Sequence, residues 1–202
     1  MDYENIKLYA SQYAVPIMRD QTAKLIADYV KTNQPDHILE IGTAIGYSGI
    51  IMLDNSNADL ITIEHNKTYI KKAKQNFSDY KLSNRVTLID GDCLVALANM
   101  AINPSYQNYF DLIFLDGPKA QYSNMLELLM ILLKDNGTLI VDDVLFHKHL
   151  NSEGKVSRRF KTIETRLNEF IDKCKNHQLI SSFELKEIED GIIFAKKGQN
   201  EK

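Results

Sequence analysis

Three aspartates follow predicted strands directly, at positions where a sheet can bring their side chains together. Asp116 comes after the apolar run 111–115, and Asp142 and Asp143 come after the run 138–141. Because neighbouring parallel strands end at the same edge of a sheet, we expect the three carboxylates to converge there. Carboxylates this close repel one another unless a cation joins them, and all-oxygen ligation suits Mg²⁺. The pattern predicts a magnesium site; the alternative is that Asp116 caps a helix and the other two begin a polar loop.

An earlier strand runs into a glycine turn that is typical of a cofactor site. The apolar run 37–41 leads into Gly42-x-x-x-Gly46 and then into a predicted helix from Tyr47 to Leu53. The second glycine of a dinucleotide fingerprint and the lysine of a Walker loop are both missing, which disfavours a phosphate ligand. Glu40 adds a negative charge before the turn and so favours a cationic ligand. A plain strand-turn-helix corner is the alternative.

Composition predicts one soluble domain spanning residues 1–202. The chain has 202 residues, 44% of them hydrophobic, and a net charge of −3, so the protein as a whole shows no general affinity for nucleic acid. Cys93 and Cys174 have no spacing that indicates a disulfide framework or a zinc site. The N-terminus is acidic, and no apolar run is long enough to span a membrane. We expect a cytoplasmic protein without a membrane partner.

Predicted strands and helices alternate along the chain. Strands are predicted at 37–41, 59–64, 85–89, 111–115 and 138–141, and then at 182–188 and 191–195 around a turn at Glu189-Asp190-Gly191. The long helix 156–176 precedes the last pair. This order predicts an α/β fold with a doubly wound sheet, mostly parallel, that ends in a C-terminal antiparallel hairpin. A helical cap over about 3–34, broken near Pro16, and a disordered tail after about 197 complete the prediction.

One further acid has a position that suits a nucleoside. Glu64 ends the second strand 64 − 46 = 18 residues after Gly46. That offset is close to the roughly 20 residues at which an acidic side chain meets the hydroxyls of a ribose. The spacing therefore predicts that Glu64 binds the ribose of the cofactor.

Three motifs together resemble one family. They are E-I-G-T-x-x-G-Y-S at 40–48, L-D-G-P-K-x-x-Y at 115–122 and V-D-D at 141–143. They resemble the class I, metal-dependent O-methyltransferases of the catechol and caffeoyl-CoA type, over about Pro16 to Ala195. The resemblance implies a Rossmann-like, seven-stranded sheet, S-adenosyl-L-methionine as methyl donor, and Mg²⁺ or another divalent cation.

The resemblance also implies roles for residues at the matching positions. Asp116 and Asp142 would bind the metal; the family's third ligand, usually asparagine, falls at Asp143, which adds a negative charge. Asp116 and Lys119 would be catalytic, with Lys119 as general base, although an exposed lysine at a helix start is the alternative. The implied cofactor-binding set is Ile17, Met18, Glu40, Gly42, Thr43, Gly46, Tyr47, Ser48, Glu64, Asp92, Cys93 and Asp116. Asp92, expected near the adenine, could instead cap the helix that starts at Cys93.

A basic segment bears on the acceptor. Lys148, Lys155, Arg158, Arg159 and Lys161 follow the aspartates, with Glu153 as the one acid between Val144 and Lys161. Such a flank suits contact with phosphates, although a solvated loop is the alternative.

The nearest resemblance within the family is to the bacterial tRNA 5-hydroxyuridine methyltransferases. These act on the wobble uridine, position 34, and form 5-methoxyuridine. The resemblance implies a tRNA anticodon loop as partner and a homodimer. A small catechol or phenolic acceptor is the first alternative, and a non-catalytic module that binds S-adenosylmethionine is the second.

Overall fold

The computed structural model of the chain describes residues 2–145 and 158–199 and arranges its strands in one sheet. The strands are β1 (His37–Ile41), β2 (Asp59–Glu64), β3 (Val86–Asp90), β4 (Phe110–Leu115), β5 (Leu133–Val141), β6 (Ile180–Lys186) and β7 (Ile192–Lys197). Their order across the sheet is β3-β2-β1-β4-β5-β7-β6. Strands β1 to β5 pair in parallel, whereas β7 runs antiparallel to β5 and β6. The predicted fold class is therefore confirmed.

Helices cover both faces of the sheet. They are α1 (Glu4–Gln12), α2 (Asp20–Asn33), α3 (Tyr47–Asp54), α4 (Lys67–Asp79), α5 (Cys93–Ala101), α6 (Tyr122–Leu132) and α7 (Arg158–Lys175). One hydrophobic core contains side chains of α1 to α4, and the other contains side chains of α5 to α7. Strands buried on both faces need nearly continuous apolar sequence, as β1 and β4 have. None of the described helices is long and apolar enough to span a membrane.

The chain changes direction across the sheet between β1 and β4, and such a switch point forms a crevice for ligands. Gly42 follows β1 and Asp116 follows β4, and the backbone amide of Asp116 donates to the carbonyl of Ile41 at 2.9 Å. Gly42 has a φ of +100°, and a Cβ there would lie 2.0 Å from the carbonyl oxygen of Asp116. Only glycine allows these two strand ends to approach so closely.

The structure corrects one predicted boundary. The fifth strand, predicted at 138–141, begins at Leu133, so Asn136-Gly137 lies within β5. The pairing of β4 with β5 shifts register between Phe110 and Leu112, and Asn136 has a φ of +64°. Asparagine and glycine are found at irregularities within paired strands as well as in loops. This dipeptide therefore does not by itself mark the start of a strand. The predicted break near Pro16 does lie between α1 and α2.

Candidate active site

A cavity of about 530 Å³ lies at the carboxyl edge of the sheet, beside the switch point. Its walls come from the α1–α2 loop, the ends of β1, β2, β4 and β5, and the β6–β7 turn. The predicted site residues on the wall are Ile17, Met18, Gly42, Glu64, Asp116, Lys119, Asp142 and Asp143. The volume is within the range of small-molecule sites.

Asp116 and Asp142 form an acidic pair at this cavity. Asp142 is buried and Asp116 is partly buried. Removal from water raises the pKa of Asp116 to about 6. Removal from water also raises the pKa of Asp142 to about 7, and repulsion by Asp116 adds to that effect. The pair therefore favours either a shared proton or a bound cation.

The third predicted carboxylate has a different partner. Asp143 accepts a hydrogen bond from the ammonium group of Lys119, and its backbone amide donates to Asp142 at 2.8 Å. Among the residues that the structure describes, no group of three or more His, Cys, Asp or Glu side chains is arranged to hold a metal ion. Mg²⁺ commonly uses one or two carboxylates together with substrate and water oxygens, so Asp116 and Asp142 fit such an ion. Ligation by Asp143 stays a prediction.

Glu40 lies beneath the glycine turn, outside the set of residues that line the cavity. Its side chain is fully buried and accepts hydrogen bonds from the hydroxyl of Ser48 at 2.5 Å and of Thr62 at 2.6 Å. Thr43 joins this network through a contact of 2.5 Å between its hydroxyl and that of Thr62. Burial raises the pKa of Glu40 to about 7, although the two hydroxyl donors oppose the rise. Glu40 therefore supports the turn from behind.

Glu64 faces the cavity at the end of β2. Its carboxylate accepts from three backbone amides, those of Ala44 at 3.0 Å, His65 at 2.9 Å and Asn66 at 2.8 Å. The amide of Ala44 belongs to the glycine turn, so the turn and the acid hold each other in place. A carboxylate fixed in this way still has lone pairs with which to accept from the hydroxyls of a ligand.

The remaining predicted cofactor residues are not among those that line the cavity. They are Gly46, Tyr47, Asp92 and Cys93, together with the network of Glu40, Thr43 and Ser48. Asp92 caps α5, because its side chain accepts from the amides of Leu94 and Val95. The sulfur of Cys93 lies 3.9 Å from Oε1 of Gln121. The cofactor roles of these residues stay predictions.

Several wall residues had no assigned role in the sequence analysis, which predicted only a hairpin turn at 189–191. Glu189 and Asp190 line the cavity because β7 runs antiparallel to β5, and Ile193 pairs with Val141 at the end of β5. The β6–β7 turn must then lie at the edge where β5 ends. A correct strand order would have been enough to predict that this turn lies at the cavity. Arg19 also lines the cavity, and no pattern in the sequence indicates that position.

The predicted basic flank is only partly within the described residues. Lys148 and Lys155 lie outside them. Arg158 and Arg159 begin α7, and Lys161 is exposed on that helix. The residues 119–121, which include Lys119, contact α7. This contact brings α7 to the region of the cavity.

A family model described as O-methyltransferase matches residues 4–198. The chain belongs to the O-methyltransferase family. A solved structure of a candidate caffeoyl-CoA O-methyltransferase from Staphylococcus aureus is 32% identical, with a TM-score of 0.86 over 98% of this chain and 93% of that chain. Membership in the O-methyltransferase family confirms the coarser part of the prediction made from the three motifs. Dependence on a metal stays a prediction.

Curated relatives in the O-methyltransferase family match over shorter stretches. A catechol O-methyltransferase from Niastella koreensis is 34% identical over 115 residues, which cover 54% of this chain and 49% of the relative. The O-methyltransferase ankF from Aspergillus thermomutatus is 30% identical over 145 residues, which cover 69% of this chain and 56% of the relative. The chain thus spans about half the length of the curated relatives that it matches.

Proposed function

We propose that the protein transfers a methyl group from S-adenosylmethionine to a hydroxyl oxygen. The observation that carries this proposal is the cavity in which the glycine turn, Glu64 and the acidic pair meet at the switch point of the sheet. Family membership supports the same reaction class. A neighbour of the same fold from Bacillus cereus, 22% identical, was solved with the demethylated cofactor bound.

The walls of the cavity suit the methyl donor. Glu64 would accept hydrogen bonds from its ribose hydroxyls, and Gly42 leaves room for its close approach to the backbone. Ile17 and Met18 also line the cavity and offer apolar contact. When bound, S-adenosylmethionine supplies an electrophilic methyl group on a positively charged sulfur.

Asp116 and Asp142 would hold the divalent cation. Such a cation would supply Lewis acidity that lowers the pKa of an acceptor hydroxyl. A positive ion at this position would also relieve the repulsion that raises the pKa of Asp142. We propose Mg²⁺, because both protein ligands are carboxylates.

Lys119 would act as the general base through its Nζ atom. In its neutral form it accepts the hydroxyl proton as the new bond between oxygen and methyl carbon forms. The methyl group would leave the sulfur of S-adenosylmethionine as this bond forms, and the electron pair of the broken bond would stay on that sulfur. Lys119 must leave Asp143 to do this, and its partly exposed side chain can move. In-line transfer further requires that the cavity position the two reacting atoms.

For the acceptor we propose 5-hydroxyuridine at the wobble position of tRNA, which would become 5-methoxyuridine. Its 5-hydroxyl and 4-keto oxygens are adjacent, as the two oxygens of a catechol are. An anticodon base is single-stranded and can enter a pocket at low cost. The basic residues around the start of α7 would contact the flanking phosphates.

A small catechol or phenol is the second candidate acceptor. The 34% identity to the catechol O-methyltransferase from Niastella koreensis favours it. A module that only binds S-adenosylmethionine is a third candidate. A pure binder has no need of an acidic pair next to a lysine, and Asp116, Asp142 and Lys119 all line the cavity.

Nucleoside analysis can decide between the acceptors. Purified protein, Mg²⁺ and labelled S-adenosylmethionine are incubated with total tRNA from cells that lack the protein, and in parallel with catechol. We expect label in 5-methoxyuridine and little transfer to catechol. The reverse preference would overturn the tRNA acceptor and leave the reaction class intact.

A variant of the acidic pair tests the metal mechanism. We expect Asp116→Ala to abolish methyl transfer and to keep most of the affinity for S-adenosylmethionine, measured by calorimetry. Asp90→Ala is the matched control, because Asp90 also ends a strand but is exposed and paired with Lys67. Unchanged activity in Asp116→Ala would exclude a catalytic metal at this position.

A further inference from the structure

Two tyrosines at the end of α1 form an aromatic surface. Tyr9 and Tyr13 are one helical turn apart, and their ring centroids are 4.5 Å from each other. The Nζ atom of Lys72, on α4, lies 4.4 Å from the ring centroid of Tyr9. Tyr13 is 58% exposed. These three residues are named the tyrosine platform.

The tyrosine platform lies next to the cavity. Pro16 is on the cavity wall and comes three residues after Tyr13. At 3.8 Å between consecutive Cα atoms, their Cα atoms are at most about 11 Å apart. The start of α1 also contacts the helix that follows the glycine turn, since the rings of Tyr3 and Tyr47 lie 6.0 Å apart. Tyr13 is therefore within reach of a ligand that extends out of the cavity past Pro16.

The helix that carries Lys72 is basic, although the chain has a net charge of −3. Within α4 the charged residues are Lys67, Lys71, Lys72 and Lys74 against the single acid Asp79. Lys71 and Lys74 are exposed. The platform thus combines one exposed ring, that of Tyr13, with positive charge, which complements a polyanion that carries flat bases.

Anchoring of α1 does not explain the exposure of Tyr13. Ile6 and Ala10 bury the inner face of α1, and Lys72 already contacts the ring of Tyr9. Tyr13 adds contact with Tyr9 and leaves more than half of its surface open to solvent. Base stacking on an aromatic ring uses such an open face and tolerates any base.

We propose that the tyrosine platform binds a single-stranded nucleotide next to the acceptor nucleotide. The base stacks on Tyr13, and the lysines of α4 attract the backbone phosphates. This inference rests on the proposal that the acceptor is an RNA nucleotide, and it names a second contact on that RNA.

The experiment measures binding of a fluorescently labelled anticodon stem-loop RNA by anisotropy, at one fixed low salt concentration. We expect Tyr13→Ala to weaken binding about tenfold and Tyr13→Phe to retain it, because the ring face is kept. Leu8→Ala is the matched control. Leu8 is on the same helix and is 64% exposed, so its removal should leave binding unchanged. Circular dichroism confirms that the variants are folded.

Each alternative outcome has a distinct meaning. Equal RNA affinity in wild type and Tyr13→Ala, or an equal loss in Leu8→Ala, would overturn the platform. An absence of RNA binding by the wild type would also overturn the platform. If Tyr13→Ala loses catechol methylation and RNA binding to the same extent, the effect is not specific to RNA, and the platform is again overturned. If Tyr13→Ala weakens RNA binding but 5-hydroxyuridine takes up no methyl group, the platform is supported and the proposed acceptor is overturned.

Discussion

The carboxylate of Glu189 accepts hydrogen bonds from the backbone amide of Thr22 at 3.0 Å and from its hydroxyl at 2.6 Å, although the residues are 167 positions apart. The amide of Gln21 also donates to Glu189, at 3.2 Å. The N-cap residue of α2, Arg19, makes no side-chain cap, and its guanidinium pairs with Asp190. The last hairpin thus caps the second helix, and this contact joins two walls of the cavity.

Removal of this long-range cap should destabilise the protein and loosen the cavity. We expect Glu189→Ala to lower the free energy of unfolding by about 1–2 kcal/mol, because two amides at the start of α2 lose their acceptor. Urea denaturation measures the change, and the Kd for S-adenosylmethionine should rise. Glu187→Ala is the control, because Glu187 is two residues from Glu189 and its side chain is exposed. Equal midpoints for the two variants would show that the cap contributes nothing.

The close contact between Gly42 and the end of β4 predicts that adding one methyl group, as in Gly42→Ala, strongly lowers stability. A Cβ at Gly42 would lie 2.0 Å from the carbonyl oxygen of Asp116, and the φ of +100° is unfavourable for alanine. We expect Gly42→Ala to cost more than about 2 kcal/mol of stability and to abolish cofactor binding. Gly91→Ala is the control, since no atom lies within 4 Å of a Cβ there. Thermal unfolding and calorimetric titration are the measurements, and wild-type binding by Gly42→Ala would contradict the prediction.

The network under the glycine turn predicts a pH dependence of stability. Burial raises the pKa of Glu40 from its ordinary 4.5 to about 7, so the folded state binds this proton more tightly than the unfolded state does. The side chain therefore costs stability progressively as the pH rises from 4.5 to about 7, and the cost stays constant above that. It amounts to about 3 kcal/mol. Glu40→Gln removes the titration and keeps the size of the side chain.

We therefore expect the stability of Glu40→Gln relative to wild type to increase between pH 4.5 and 7. Chemical denaturation at a series of pH values measures the difference. Ionisable groups that do not interact with Glu40 contribute equally to both proteins and cancel. A difference that stays constant across this range would show that Glu40 is not perturbed.

A buried lysine near the opposite edge of the sheet should be essential for stability. The Nζ atom of Lys197 donates to the carbonyls of Met130 at 2.8 Å and Leu133 at 2.7 Å and to the side chain of Asn108 at 2.8 Å. We expect Lys197→Met to cost about 2–4 kcal/mol, because these buried acceptors lose their donor. Lys196→Met is the control, because Lys196 is exposed. Its free energy of unfolding should stay within about 0.5 kcal/mol of the wild-type value. Similar unfolding temperatures for both variants would contradict this role.

The sequence alone determined the elements and the position of the chemistry along the chain. Apolar runs bounded by glycine, proline or aspartate predicted β1 and β4, because strands covered on both faces require continuous apolar residues. Residues at the ends of those strands, such as Gly42 and Asp116, could be assigned to one edge because parallel strands end together. The fold class followed from the alternation of strands and helices, and the O-methyltransferase family followed from the three motifs.

Only the tertiary structure decided which side chains meet. Local patterns could not predict three of the contacts: Lys119 with Asp143, Glu40 with the residues under the turn, and Glu189 with the start of α2. Local sequence sets periodicity and turn chemistry, which depend on neighbours a few residues apart. Contacts between distant residues depend on strand order and on the packing of both cores, and these are properties of the whole chain.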